Sequence, residues 1–358
     1  MRIVFAFFLI IISVSCSGEA VGTDIDIVWT QRNDSLILVR QGSLVWALDE
    51  HTAPDLQSIN FDCTSSILYF FNSITRNIEL FDMTSGQKTV LVRPPVIPWS
   101  MNIISRDSIY LLDLDNKSIL MMDSDRNVKD TILINENSTL LPGGAGQPYV
   151  TENALYYITA DSERSVSAYS IDRETGEIKP LIPYPDAYRK KFYGWLLMNT
   201  PYSAYNESEQ KIVVGYPVDS HIYVYDMKNG GLKRYTAESR YFSPIEKISR
   251  KVYPEEEIEY FRENTTYANV LYDKYRELYY RIVEKSTPMP GVNLSNKAKK
   301  LSVMILSRDF DTLGETDLAE SFDAGFRYSA FVSEEGLNIQ LLTSEDELSF
   351  ATYSIETR

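Results

Sequence analysis

Short apolar runs, each stopped by an acidic residue and followed by a polar turn, recur along this chain. The phrase reads SLVWALDEHT at Asp49, NIELFDMTSGQ at Asp82, SILMMDSDRN at Asp123, SAYSIDRETGE at Asp172 and HIYVYDMKNGG at Asp226, with LSVMILSRDFDTLG at Asp309 as a sixth copy. Successive copies lie 33, 41, 49, 54 and 83 residues apart, so one period dominates and the last gap holds an insertion. Another apolar run stands upstream of several copies, as SSILYFFNS, DSIYLLDLDN, NALYYITADS and QKIVVGYPVDS, and a further one follows as QKTVLV, VKDTILI or IKPLI. Runs this short, with Gly, Asn, Asp and Ser between them, predict strands joined by tight turns.

Repeated strand pairs without intervening helices argue against an α/β fold and for an all-β propeller or sandwich. A repeat of about 40–50 residues is the length of a four-stranded propeller blade. The pattern predicts one β-propeller domain over residues 24–358, six blades favoured, with seven the alternative should the Asp49 hairpin form a reduced extra blade. After Phe322 the chain offers three strands, FRYSAFVSEE, LNIQLLTSED and LSFATYSIE, one short of a blade. DIDIVWT at 24–30 is expected to come round from the N-terminus as the missing strand, because closing the ring removes exposed edges. A helix is expected in the insertion, at 254–263. Pro254 suits a helix start, and three glutamates follow where the helix dipole favours them. STPMPGVNLSNKAKK at 286–300 reads as a long loop, since its prolines and glycine disfavour regular structure.

The stretch NVLYDKYRELYYRIV at 269–283 could pass for an amphipathic helix. In register with the other units it is a hairpin: YANVLYD and ELYYRIVEK are the first two strands of a blade and DKYRE is the turn. Tyr279, Arg281 and Val283 then share one face, Tyr280 and Ile282 the other. This run, with ESRYF before it and LYFFNSITRNIELFDM earlier, resembles a family of Bacteroidota lipoproteins of unknown function and about this length. Its most specific part is the pattern of Tyr272, Asp273, Tyr275, Arg276, Tyr279, Tyr280 and Arg281. The resemblance covers nearly all of the chain beyond residue 15. It implies a propeller-like architecture and a cell-envelope address, and brings no activity.

The N-terminus agrees with that address. MRIVFAFFLIIISVSC has one basic residue, Arg2, an apolar run from Ile3 to Ile12 and small residues up to Cys16. That is the pattern of a secretory signal over 1–15, too short to span a bilayer. Cleavage before a cysteine is the bacterial lipoprotein pattern, and SVSC resembles the looser lipobox of Bacteroidota; a strict lipobox has Leu where Ser13 stands. Cys16 is therefore the expected lipidation residue and 16–23 the tether. The lipid would be the membrane contact, anchoring the protein without spanning. The expected location is the outer membrane, on its periplasmic or its surface face.

Cys63 is the other cysteine, so once Cys16 is lipidated no disulfide can staple the chain and a full hydrophobic core must hold it. The 343 residues from 16 to 358 are enough to build one. A net charge of −15 opposes binding to phosphate backbones, which excludes nucleic acid and argues against docking onto anionic lipid. The 25 tyrosines suit sheet faces and also sugar- or peptide-binding surfaces.

Candidate chemistry is sparse. Tyr275, Arg276 and Arg281 could form a ligand platform, since guanidinium groups pair with carboxylates and Tyr rings stack on sugars. Alternatively they tie neighbouring blades together, which is the usual fate of a half-buried Arg. DSDRN at 123–127 begins like a calcium loop, but Val128 and Ile134 stand where such a loop needs Gly and Glu, so it is read as a turn. His51 and His221 lie in different units, and no zinc motif, nucleophile elbow, Walker loop or dinucleotide fingerprint occurs. LPGGAGQPY at 141–149 reads as a loop between blades. No metal and no cofactor is implied. Ser35, Ser108, Thr131 and Thr312 sit in Asp-Ser/Thr-apolar tripeptides of the kind Bacteroidota O-glycosylate, a modification that requires exposed hydroxyls. The first expectation for function is a non-enzymatic envelope propeller binding a glycan, peptide or partner protein. A polysaccharide hydrolase or lyase and an envelope sensor or assembly scaffold are the alternatives; carboxylate pairs are recognised by distance, not spacing.

Overall fold

The computed structural model describes residues 25–54, 56, 58–134, 141, 143–160, 165–188, 198–246, 254–287, 299–322, 329–344 and 346–358. The expected signal, the tether with Cys16, and most of the loop expected at 286–300 lie outside the described residues.

β1 (Ile27–Val28) and β2 (Leu36–Ala47) open the chain. Blade 1 is β3 (Ile59–Asp62), β4 (Ile67–Asn72), β5 (Asn77–Asp82) and β6 (Lys88–Val92). Blade 2 is β7 (Pro98–Ser105), β8 (Ser108–Asp113), β9 (Ser118–Met122) and β10 (Val128–Leu133). Blade 3 is β11 (Tyr149–Val150), β12 (Ala154–Ile158), β13 (Val166–Asp172) and β14 (Ile178–Pro183). Blade 4 is β15 (Tyr202–Asn206), β16 (Lys211–Tyr216), β17 (Asp219–Asp226) and β18 (Gly231–Thr236). Blade 5 is β19 (Thr266–Asp273), β20 (Leu278–Glu284), β21 (Lys299–Leu306) and β22 (Thr312–Phe322). Blade 6 is β23 (Ala330–Val332), β24 (Leu337–Ser344), β25 (Glu347–Thr357) and, from the far end of the chain, β2. The fold is a six-bladed β-propeller, and the 269–283 stretch is the first hairpin of blade 5.

The apolar core lies between blades. Along β8, Ile109 and Leu111 pack against Tyr69, Phe71 and Leu80 of blade 1, whereas Tyr110 and Leu112 pack against Leu155 and Tyr157 of blade 3. Successive side chains leave a strand on opposite faces, so a middle strand buried on both sides reads as an unbroken apolar run. The outer strands lose one neighbour and revert to polar sequence, as in VKDTIL of β10, which is mostly exposed.

Acidic and amide residues end strands because their side chains replace the missing ladder partners. Asp62, Asn72, Asp113 and Asp273 each accept the N–H groups two and three residues ahead. Asp82 and Asp172 do the same at turns completed by Gly86 and Gly176, both at φ near +70°. In blade 5 the register differs from the expected Asp309. Ser307 holds the capping position, its Oγ accepting from the N–H groups of Asp309 and Asp311, and Asp309 lies within the turn. Asp49 caps a local turn beyond the end of β2 and accepts Lys88 Nζ of β6 (2.7 Å).

The ring is closed by an N-terminal strand, but not by 24–30. β2 runs antiparallel to β25 from Leu36 opposite Thr357 to Ala47 opposite Glu347. Its 12 residues match the 11 of β25, a length that DIDIVWT cannot supply. Because β2 is consumed as the fourth strand of blade 6, the described residues form six sheets and no seventh blade. β1 lies parallel to β18 on the outside of blade 4 instead. The chain next crosses blade 5, where Thr312 N–H donates to the Gln31 carbonyl (2.7 Å) and Asn33 N–H to that of Thr312 (3.0 Å). Residues 25–47 thus form a belt that adds outer pairing to blades 4, 5 and 6 in turn. Buried Glu315 fastens it, accepting Arg32 Nη2 (3.0 Å), Arg240 N–H (3.0 Å) and the hydroxyls of Ser239 and Ser302.

The expected helix is α1 (Pro254–Glu263), on the connection from blade 4 to blade 5. Ile258 and Phe261 are its buried apolar residues, and Lys299 Nζ donates to the carbonyls of Phe261 (2.8 Å) and Asn264 (2.6 Å) at its C-terminal end.

Candidate functional site: a plugged central well

Each blade contributes its first strand to the propeller axis. β3, β7, β11, β15, β19 and β23 surround a cavity of about 670 Å³, within the range of small-molecule sites. One end is closed. LPGGAGQPY, expected as an inter-blade loop, does connect blades 2 and 3, and its Gly143–Gly146 forms a 3₁₀ turn packed against β3, β7 and β15. Ala145 is buried there, and Asn102 Nδ2 donates to the Pro148 carbonyl (2.7 Å), tying the plug to blade 2. A Cβ on Gly146 would fall 1.9 Å from the Leu141 carbonyl oxygen, so only glycine fits. The other end opens between the turns that follow the inner strands, where Cys63, Glu207, Ser208, Lys274, Tyr275 and Glu277 form the rim.

Below the rim the wall mixes amides and hydroxyls with aromatic rings. Asn60 Oδ1 accepts Ile103 N–H (3.2 Å), and Tyr149 Oη and Ser203 Oγ lie 2.8 Å apart. Burial pushes the Tyr149 hydroxyl up to about 12, its bond to Ser203 opposing. Its ring lies 5.3 Å from that of Tyr205. On the rim, Tyr275 Oη donates to the Cys63 carbonyl (3.0 Å), joining blade 5 to blade 1. Lys274 is held above its ordinary pKa, chiefly by a hydrogen bond to Cys63, against partial desolvation.

The hairpin residues singled out from sequence separate. Tyr275 is on the rim, 37% exposed. Arg276 turns toward blade 6: Nη1 pairs with Asp273 (3.0 Å) and Nη2 donates to the Glu334 carbonyl (2.6 Å). Arg281 is 0% exposed and lies between blades 4 and 5. Its partners are not a carboxylate but the carbonyls of Ser220, Ala237, Asp219 (each 2.7 Å) and His221 (3.2 Å), with the Tyr267 ring 3.4 Å from its guanidinium carbon. Burial pushes its pKa down, against the attraction of nearby groups.

Among the candidate glycosylation residues, Ser35 and Thr131 are exposed and Ser108 is half-buried. Thr312 is 3% exposed beneath the belt and does not meet the exposure that modification requires. Among the described residues no cluster of three or more His, Cys, Asp or Glu side chains is placed to hold a metal ion.

Asn60, Asn102, Ser203 and Asn269 were not singled out from sequence. Each is an amide or hydroxyl inside an inner strand, two to four residues before the polar residue that ends that strand. That recurrence is the signal that could have found them.

The geometry defines a β-propeller whose central channel is a blind well rather than a through-pore. Residues 94–317, well over half of the chain, match the family described as Domain of unknown function (DUF4221), and the chain belongs to that family. A crystal structure of a DUF4221 member from Bacteroides vulgatus is similar, with 21% identity and a TM-score of 0.76, covering 91% of this chain and 99% of that one. A putative exported protein from Bacteroides fragilis shares the fold at 9% identity and a TM-score of 0.53, covering 94% of this chain and 100% of that one. A gluconolactonase from Xanthomonas campestris aligns at 12% identity and a TM-score of 0.49, over 91% of this chain and 97% of that one. No curated protein matches the sequence.

Proposed function

We propose that this protein is an exported, lipid-anchored envelope protein whose propeller binds a glycan, peptide or partner protein through its central well. The observation that carries the reading is the wall of that well. Amides, hydroxyls and aromatic rings hold a ligand by hydrogen bonds and stacking, and here they converge from separate blades on one concavity closed at its far end. The export half of the reading is supported by the apolar N-terminal run ending at Cys16 and by the fold shared with a putative exported protein of Bacteroides fragilis.

Two measurements test the two halves. Screening the purified protein on glycan and peptide arrays should return a ligand class; a blank on both removes glycan and peptide and restricts the reading to a partner protein. For the anchor, Cys16→Ser should leave the signal uncleaved, or leave the product unlipidated and released from the membrane fraction. A processed variant that sediments with membranes as the natural protein does would remove lipidation.

A further inference from the structure

Charge is distributed unevenly along the well. Glu207, Lys274 and Glu277 stand in the rim turns, exposed to water. Below them the lining is neutral: the amides of Asn60, Asn102, Gln147 and Asn269 and the hydroxyl of Ser203, set among aromatic and aliphatic side chains. A phosphate, carboxylate or ammonium taken below the rim would lose its hydration and meet no opposite charge there. The plug adds a geometric condition: a chain molecule cannot thread through the axis and must enter end first. A peptide entering by an unblocked end brings a charged terminus to the neutral floor. A sugar chain brings hydroxyls, each able to donate and accept as the facing amides do, and C–H faces that pack on aromatic rings.

Resting on the binding reading, the geometry points to a neutral oligosaccharide as the ligand, its terminal rings entering between the turns of blades 1, 4 and 5. Ile104 gives the means of testing this. It lines the well yet is 54% exposed, so a substitution there leaves the inter-blade core alone.

The experiment is calorimetric titration of the purified protein with neutral gluco-, manno- and xylo-oligosaccharides, an oligogalacturonate and a pool of short peptides. A neutral saccharide should bind, and the uronate at least about tenfold more weakly. Ile104→Lys, which sets an ammonium in the neutral wall, should weaken the neutral ligand by about tenfold or more at unchanged Tm, and Val332→Trp, which narrows the well without adding charge, should weaken it as much while the protein still unfolds in one cooperative transition. Saccharide binding that neither variant disturbs would put the site elsewhere and overturn this proposal while sparing the broader one. Preference for the uronate or the peptides overturns it in the same way. Failure of every probe overturns the neutral-oligosaccharide proposal and leaves the broader reading to be decided by the glycan and peptide arrays.

Discussion

Two arginines five residues apart in one hairpin show how strongly burial decides a side chain's part. Arg276 sits in a turn, keeps 28% of its side chain exposed and pairs with the buried Asp273, an arrangement between an exposed pair of about 1 kcal/mol and a buried one of about 3–5 kcal/mol. Arg281 sits inside a strand with no exposure and satisfies four backbone carbonyls of blade 4, the donor fork reaching where a single ammonium could not. Removing it strands those carbonyls and opens a cavity next to the Tyr267 ring. Arg281→Ala should therefore cost at least about 3 kcal/mol, by unsatisfied polar groups and lost packing together. Arg281→Lys should recover only part of that, and Arg276→Ala should cost about 1–2 kcal/mol, because buried Asp273 keeps two backbone N–H groups and the Tyr280 hydroxyl. Equilibrium unfolding in denaturant ranks the three. Arg281→Ala unfolding with the parent would mean that water satisfies the stranded carbonyls and that the inter-blade clamp is dispensable.

At the scale of elements, the belt divides into a part that decorates and a part that closes. β1 contributes two paired residues outside an already complete blade, whereas β2 supplies the fourth strand of blade 6. Deleting 25–30 should lower the unfolding midpoint modestly. Deleting 25–47 should abolish cooperative folding, because it leaves β25 as a long open edge and uncovers Phe350 and Leu348. A 25–47 deletion that still melts in one transition at the parent's temperature would refute closure by β2. Blade period, inner hairpins and the α1 helix were all legible in the chain, because each is written locally in strand alternation, capping residues and a helix start. The closing strand was legible only in kind. DIDIVWT reads as a strand and the Asp49 phrase as a hairpin, and that Leu36–Ala47 is the closing strand follows only from matching it to the length of β25 at the other end of the chain. Ser307 was missed as a cap because a serine hydroxyl can replace the expected carboxylate. From sequence the plug reads as a connector, since nothing local in LPGGAGQPY says that it folds inward across the axis.

Across the whole molecule, stability and net charge pull against each other as pH falls. Turn carboxylates are held below the usual Asp range: Asp49 at about 2, chiefly by Lys88; Asp82 by the Ser85 hydroxyl; Asp123 by the Asn127 amide; Asp172 by the Thr175 N–H. At Asp219, burial works to raise the pKa, but bonding to His221 and Tyr223 is reflected in a net lowering. An unfolded aspartate titrates at about 3.9. When the folded value is the lower one, the unfolded chain binds more protons between the two. The stabilisation is then whole above about pH 4 and is lost as pH falls through the folded values. Lys179 and Lys274 have the opposite displacement, with pKa values raised above 10.5, so their contribution is not lost until strongly alkaline pH. Acid also discharges a molecule of net charge −15, and relief of that repulsion favours the compact state. The turn carboxylates act at hydrogen-bond distance while the repulsion is spread over the surface and screened by salt, so the local effect should prevail. Denaturant midpoints should be nearly flat from about pH 8 to about pH 5 and fall steeply between about pH 4 and about pH 2. Added salt should raise the midpoint at neutral pH and lose that effect in acid. A midpoint that climbs on acidification from pH 4 would show that repulsion, not the loss of turn caps, governs this propeller in acid.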